Sequence, residues 1–402
     1  MKLRATGLTR AVAHEALAGA AIFYTFCPEG SGEIPFDERP FDGRPFEGRP
    51  FEGRPFDEKE HPMATAQELE STARALVAPG KGILAADEST GTIKKRFDKI
   101  KVESTETNRR DYREMLFTAQ GVEAFISGVI LYDETIRQKA SDGTPLAQIL
   151  SSKGIIPGIK VDKGTKTLPF SSEEKITEGL DGLRERLVEY RGLGARFAKW
   201  RALIEIGEGK PSDLCLRTNA DALARYAALC VDEGLVPIVE PEILMDGTHT
   251  IERSYEATER TLHRVFGALY EQRVPLERIL LKPNMVLSAY ECPKQASVRE
   301  VAEATIRCFK RVVPAAVPGI VFLSGGQSDE AATAHLNEMN RIGGFPWEMS
   351  FSYGRALQAP ALKAWGGRKE NFAAGQKAFQ HRAKCNSAAR YGKYSEAMEK
   401  AA

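Results

Sequence analysis

The stretch Ala195-Arg-Phe-Ala-Lys199-Trp-Arg201, a helical pattern from Asp221 to Glu233 stopped at Gly234, and then Leu235-Val-Pro-Ile-Val239-Glu240-Pro-Glu242 decide the fold. Two short apolar, β-branched runs flank an amphipathic helix that closes on glycine, which is the grammar of a strand, a crossover helix and a parallel strand. The same unit repeats along the chain. Further runs of this kind lie at Gly82 to Ala86, Phe125 to Tyr132, Ile155 to Val161, Arg278 to Leu281, Gly319 to Leu323 and Met349 to Phe351. Helical signals separate most of them, including Ser297-Val-Arg-Glu300, a capping box whose helix ends before Pro314. Eight strands at intervals of about 30 to 45 residues predict an α/β fold of the (β/α)8 TIM-barrel type rather than an open doubly wound sheet. The first strand is not followed by GxGxxG, so a dinucleotide site has no support.

Working outward to the termini, ordered structure is expected to start near Met63, where Thr65-Ala-Gln-Glu68 has capping-box spacing and Pro79-Gly80 closes the helix. Residues 1–62 differ in kind. They hold 7 of the 21 Pro and 7 of the 19 Phe, and their second half repeats a pentapeptide: Arg39-Pro-Phe-Asp-Gly, Arg44-Pro-Phe-Glu-Gly, Arg49-Pro-Phe-Glu-Gly and Arg54-Pro-Phe-Asp-Glu. Proline at every fifth position forbids a continuous helix and removes ladder donors, so this extension reads as disordered and solvated, in preference to a Phe-bearing recruitment tail. Lys2, Arg4 and Arg10 precede a modest apolar stretch from Ala16 to Cys27, a faint likeness to a targeting segment that His14 and Glu15 interrupt. The two domains are therefore an extension over 1–62 and a barrel with terminal helices over 63–402.

The chain's 56 basic and 55 acidic residues suggest neither a nucleic-acid nor a membrane partner. The near-neutral total hides a split: the extension carries 8 basic and 11 acidic side chains, leaving the barrel with 48 and 44. Six scattered Cys without a CxxC pair read as reduced thiols in a cytoplasmic protein. The six His include no HxH or HExxH pair, and GxSxG is missing, so neither a zinc site nor a serine hydrolase is expected.

A barrel builds its active site at the C-terminal ends of its strands, and here those ends are consistently polar: Asp87 with Ser89, Lys160 with Asp162, Lys199 with Arg201, Glu240 with Glu242, Lys282 with Asn284, Ser324-Gly325-Gly326, and Ser352-Tyr-Gly354-Arg355. Lys160, Lys199 and Lys282 each sit in apolar context. A desolvated ammonium near other cations loses its charge more easily, which makes a neutral amine available to attack a carbonyl. Spacing alone does not choose among the three lysines. The glycine segments after the last two strands, with Arg355, suit a phosphate, and Ser89, Thr92, Lys95 and Arg96 after the first strand offer a second anion site. Two such sites suggest a bisphosphate.

Together, Gly80-Lys-Gly-Ile-Leu-Ala-Ala-Asp87-Glu-Ser89, Gly158-Ile-Lys160-Val-Asp, Phe197-Ala-Lys199-Trp-Arg201, Val239-Glu240-Pro-Glu242, Leu281-Lys282-Pro-Asn-Met, Phe322-Leu-Ser324-Gly-Gly-Gln and Phe351-Ser352-Tyr-Gly-Arg355 closely resemble class I fructose-bisphosphate aldolase, from about Met63 to about Tyr394. The resemblance implies that Lys282 forms a Schiff base with a ketose phosphate, Glu240 transfers protons, Asp87 acts on the C4 hydroxyl, and Lys199, Glu242 and Arg201 tune and orient the set. It implies that Ser324, Gly325, Gly326, Ser352, Gly354 and Arg355 hold the C1 phosphate, with Ser89, Thr92, Arg96 and Lys160 on the C6 side. It also implies sugar phosphates as the only small-molecule partners, no metal or other cofactor, and a homotetramer. A Schiff-base lyase for another phosphorylated sugar and a non-catalytic scaffold on the same body are the other readings. Many relatives end in a terminal Tyr that reaches the site, whereas the last aromatic here is Tyr394. A chain shortened to begin at Met63 is expected to keep full turnover in a steady-state assay; a large drop would make residues 1–62 part of the enzyme.

Overall fold

The computed structural model describes residues 64–401 apart from residue 172. The expected disordered extension and its repeats, and the targeting likeness of residues 1–27, lie outside the described residues. Strands β1 (Gly82–Ala86), β2 (Ile126–Leu131), β3 (Ile156–Lys160), β4 (Thr165–Thr167), β5 (Lys175–Thr177), β6 (Phe197–Ile204), β7 (Val236–Ile243), β8 (Leu280–Leu281), β9 (Gly319–Phe322) and β10 (Glu348–Tyr353) form two sheets. Eight of them close into an all-parallel barrel in the order β1-β10-β9-β8-β7-β6-β3-β2, the expected architecture. The short polar pair β4 and β5 is an antiparallel hairpin that the sequence reading passed over, having no apolar alternation to mark it.

Between the barrel strands run helices that include Glu106–Thr118, Leu183–Gly192, Asp213–Asp232, Ile251–Glu271, Val298–Val312 and Asp329–Ile342, and after the last strand come Arg355–Trp365 and Phe372–Arg390. Both sequence-level capping boxes form, at Thr65 with Glu68 and at Ser297 with Glu300. The helix expected from Asp221 begins instead at Asp213, because Ser212 accepts a hydrogen bond from the Cys215 N–H and caps it a further two turns back.

Side-chain alternation divides the strands into two faces. Leu84, Ala86, Val129, Leu131, Ile159, Ala198, Trp200, Val239, Leu281, Ile320 and Phe322 point outward into the core shared with the helices. Ile83, Ala85, Ile130, Phe197, Val236, Ile238, Leu280 and Val321 point inward. Helix Ala66–Leu76 closes the N-terminal mouth of the barrel: Leu69, Ala73 and Leu76, on one helical face, join the inward cluster. The Ser127 hydroxyl fastens the plug by donating to the Leu76 carbonyl at 2.5 Å and the Gly82 carbonyl at 3.0 Å.

The inward face changes character along each strand. Phe197 is followed on the same face by Lys199 and Arg201, Ile238 by Glu240 and Glu242, Leu280 by Lys282, and Ile83 and Ala85 by Asp87. Register aligns these into layers, with Lys160 beside Lys199, Lys199 beside Ile238, and Arg201 beside Glu240. β6 and β7 therefore extend past the expected ends at Trp200 and Val239. Their charged residues do not terminate the strands, because a charge facing a solvated mouth leaves the backbone ladder intact.

The floor under this charged layer is close-packed around Phe197. A Cβ added at Gly158 would overlap the Phe197 ring. Gly158→Ala is therefore expected to destabilise the fold by about 1–3 kcal/mol through overpacking, read as a lower midpoint in urea and heat unfolding; an unchanged midpoint would show that the ring has room to move.

Candidate active site

Lys199 anchors the charged layer. Its Nζ lies 2.7 Å from Asp87 Oδ2 and 2.9 Å from Glu240 Oε2, so one ammonium bridges two carboxylates. The other carboxylate oxygen, Glu240 Oε1, is 3.2 Å from Lys282 Nζ. Lys199, Glu240 and Lys282 are all buried, at 3%, 3% and 4% exposure, which is rare for these residue types unless they are paired. Strand β8 positions Lys282 through a bond from its N–H to the Val239 carbonyl at 2.8 Å. Asn284 then ties the following loop to β7, accepting from the Ile243 N–H at 3.0 Å.

Electrostatics separate the lysines. For Lys199, burial opposes the charge, but Asp87, Glu240 and Asp162 outweigh it and hold the ammonium above the ordinary lysine range. For Lys282, burial is the largest influence; Glu240 opposes it, the Lys199 charge reinforces it, and the net shift is downward. Burial would raise the Asp87 carboxyl, yet Lys199 and then Lys282 bring it well below the usual range. Glu240 is likewise lowered, with burial overcome by Lys199, Lys282 and Arg201. The layer thus holds two ionised carboxylates, one fixed cation, and one amine whose charged form is disfavoured.

Every residue assigned to the chemistry or to a phosphate from the sequence lines one open cleft of about 1130 Å³ at the C-terminal end of the barrel, whereas Asn284 is buried behind it. Arg201 pairs with Glu242 through Nε, and its N–H donates to Asp162 Oδ2 at 3.3 Å. Lys160 pairs with Asp162, donating also to its carbonyl at 2.8 Å. Ser89 caps helix Thr90–Asp98, its Oγ 3.1 Å from the Thr92 hydroxyl. On the opposite side, Ser352 Oγ is buried with no hydrogen-bond partner among the described residues. Directly after it, helix Arg355–Trp365 starts at Gly354 without a side-chain cap. An uncapped helix N-terminus beside an unpaired hydroxyl is a ready anion seat. Gly326, at φ +90°, takes a conformation that favours glycine, and a Cβ there would come within 2.5 Å of Arg355 Nη2.

Several supporting residues were not picked out from the sequence. Glu88 is buried and pairs with Arg96 in the cleft and with Arg113 behind it at 2.9 Å. Gln358 donates to the same carboxylate at 2.8 Å and accepts from the Tyr112 hydroxyl at 3.0 Å, fixing the base of Arg96. Behind the glycine loop, His335 Nδ1 lies 2.6 Å from Gln327 Oε1, and Gln327 Nε2 donates to the Ser324 carbonyl at 3.1 Å. Burial pushes the His335 imidazole down to about 4, so it is neutral near pH 7. Tyr290 reaches the loop from the cleft wall, its hydroxyl donating to the Gly325 carbonyl. Apart from Gln327 on Ser324, three positions away, these partners lie between 8 and 270 positions apart in sequence. Tyr394 lies outside the cleft, donating to Glu399 Oε1 at 2.8 Å.

Comparison with known proteins agrees with this geometry. The family model described as "Glycolytic: Fructose-bisphosphate aldolase class-I" matches residues 68–402, reaching past the Tyr394 limit of the sequence resemblance. A probable fructose-bisphosphate aldolase class 1 of Xanthomonas campestris is 59% identical over 329 residues, covering 82% of this chain and 98% of the relative. Fructose-bisphosphate aldolase 1 of Toxoplasma gondii is 57% identical, over 82% of this chain and 91% of its own length. A solved structure of the Plasmodium falciparum fructose-bisphosphate aldolase, in complex with TRAP and a small-molecule inhibitor, superposes with a TM-score of 0.81 at 53% identity, over 83% of this chain and 98% of that one. With the barrel, the charged layer and these matches in agreement, the chain belongs to the class-I fructose-bisphosphate aldolase family.

Proposed function

We propose that the chain catalyses the reversible aldol cleavage of fructose 1,6-bisphosphate to dihydroxyacetone phosphate and glyceraldehyde 3-phosphate, through a Schiff base on Lys282. The observation that carries this reading is the contrast within the layer: Lys199 is held charged between Asp87 and Glu240, while Lys282 is pushed toward the neutral amine. Neutral Nζ adds to the C2 carbonyl of the open-chain ketose. Glu240, ionised at rest and 3.2 Å away, takes a proton from the attacking nitrogen and passes it to the oxygen; a second proton, drawn from solvent through the same carboxylate, lets that oxygen leave as water and gives an iminium. Asp87 removes the C4 hydroxyl proton. The C3–C4 bond then breaks, its electron pair moves into the iminium to form an enamine, and the C4 aldehyde departs. Protonation at C3 and hydrolysis return dihydroxyacetone phosphate and free Lys282.

Lys199 stabilises charge near the leaving oxygen and keeps the Lys282 ammonium disfavoured, while Glu242 fixes Arg201. The C1 phosphate is assigned to Ser324, Gly325, Gly326, Ser352, Gly354 and Arg355, supported by the unpaired Ser352 hydroxyl and the uncapped helix beside it. Ser89, Thr92, Arg96 and Lys160 face the C6 phosphate across the cleft. A homotetramer, a cytoplasmic location and a place in glycolysis and gluconeogenesis come with the family and belong to the same proposal. No helix among the described residues is long and apolar enough to cross a membrane.

Borohydride reduction in the presence of dihydroxyacetone phosphate, followed by peptide mapping, is expected to label Lys282. Lys282→Arg is expected to abolish the label and lower kcat by about a thousand-fold or more, roughly 4 kcal/mol of barrier. A label on Lys160 or Lys199, or none in active protein, overturns the assignment. The second expectation concerns pH. Lys199→Met removes a cation that lowers Lys282 and leaves Glu240, which raises it, so the Lys282 pKa should rise. The pH at which an amine-selective reagent begins to modify Lys282 should then move upward, and a downward or absent shift would contradict the electrostatic account.

A further inference from the structure

Away from the cleft, helix Phe372–Arg390 carries His381 and Cys385 at i and i+4, on one face. The last described segment, the short 3-10 helix Glu396–Ala401, folds back so that Glu399 meets the pair. His381 Nε2 lies 3.6 Å from Cys385 Sγ and 3.5 Å from Glu399 Oε2. One ligand atom from each residue falls within 4.8 Å of the others. None of the three lines the cleft.

We propose that His381, Cys385 and Glu399 bind a single thiophilic divalent ion, zinc by the chemistry of the donors, which clips the C-terminal segment to the helix. Nitrogen, sulfur and carboxylate oxygen form a borderline-soft set that suits zinc. A tetrahedral zinc with Zn–N and Zn–O near ~2.0 Å and Zn–S near ~2.3 Å sets its N···S separation at about 3.6 Å and its N···O separation at about 3.3 Å. The two spacings from His381 nearly match these before any ion is added, and the third lies within 4.8 Å.

The surroundings orient the set. Glu399 Oε1 is already taken, by Arg382 Nη1 at 2.5 Å and the Tyr394 hydroxyl at 2.8 Å, which leaves Oε2 turned toward His381 and Cys385. Arg382 is itself buried and fixed by the Asp329 carbonyl at 2.9 Å and the Thr333 hydroxyl at 2.6 Å. A carboxylate oriented in this way by outer partners is how metal ligands are held. The guanidinium charge opposes a second cation, but it acts on the far oxygen, and the thiolate and carboxylate together balance a 2+ ion. Cys385 is fully buried, while the side chains of His381 and Glu399 are 18% and 21% exposed, giving the ion an entry path and a place for a water as fourth ligand. Because zinc takes the thiolate, binding must expel the Cys385 thiol proton to solvent and weaken as pH falls. The sequence reading sought paired histidines and so did not weigh a His-x3-Cys spacing.

The test uses the full chain, freed of metal by a chelator, with Co²⁺ as the probe and Zn²⁺ as its competitor. One equivalent per chain is expected, with a thiolate-to-cobalt charge-transfer band that zinc abolishes and one proton released per ion by calorimetry in buffers of different ionisation heat. Cys385→Ser should remove the band. His381→Gln, a partly exposed position that spares the buried thiol, should weaken binding by about tenfold or more and serves if the serine variant does not fold. A trio held by hydrogen bonds alone would give no band with cobalt in excess, and that result, a band that survives Cys385→Ser, or cobalt binding undiminished in His381→Gln overturns the proposal. Neither residue is assigned to the aldol chemistry, so borohydride trapping at Lys282 succeeds or fails independently.

Discussion

The bridge from Lys199 to Asp87 and Glu240 is the interaction on which the active layer depends. Two carboxylates inside a barrel would repel each other and lose hydration, and either could stay ionised only at high cost. One ammonium placed between them offsets both penalties, and the same charge acts on Lys282 in the opposite sense. Breaking a buried pair of this kind by removing one partner typically costs about 3–5 kcal/mol, because the remaining charge is stranded. Lys199 therefore has both a structural and an electronic role.

That bridge needs a rigid seat, and the barrel supplies it through alternation. On each inward face an apolar residue near the bottom precedes a charged one near the top, so Phe197, Ile238 and Leu280 form a floor on which Lys199, Glu240 and Lys282 stand. Helix Ala66–Leu76 seals the floor from below. Water can reach the charged layer only from the cleft side, which keeps the local dielectric low and the shifts large.

The loops proposed to bind phosphate depend on support from beyond the barrel strands. Gln327, in the loop itself and bound by His335 of the following helix, holds the Ser324 turn, and Glu88, in the loop after β1 and bound by Arg113 and Gln358 of the surrounding helices, holds Arg96. The helix that follows the Ser324 turn, Asp329–Ile342, also receives Arg382 from helix Phe372–Arg390, so the end of the chain is coupled to the element that begins beside that turn.

The sequence by itself determined the barrel, because eight apolar runs separated by helices of matching length leave few other ways to bury their faces. It determined the polar residues of the mouth as well, since Asp87, Glu240 and Lys282 follow inward apolar residues by an even count that alternation carries onto the same face. What it did not decide was which lysine becomes the amine. Lys160, Lys199 and Lys282 stand in similar local settings, and only the closed barrel brings Asp87 and Glu240 onto Lys199 while leaving Lys282 with a single carboxylate and a neighbouring cation. The residues that brace Arg96 and the Ser324 turn, and the meeting of His381, Cys385 and Glu399, were hidden for the same reason. A pKa and a ligand set are properties of distances through space, and those distances exist only once strands and helices remote in sequence have closed upon one another.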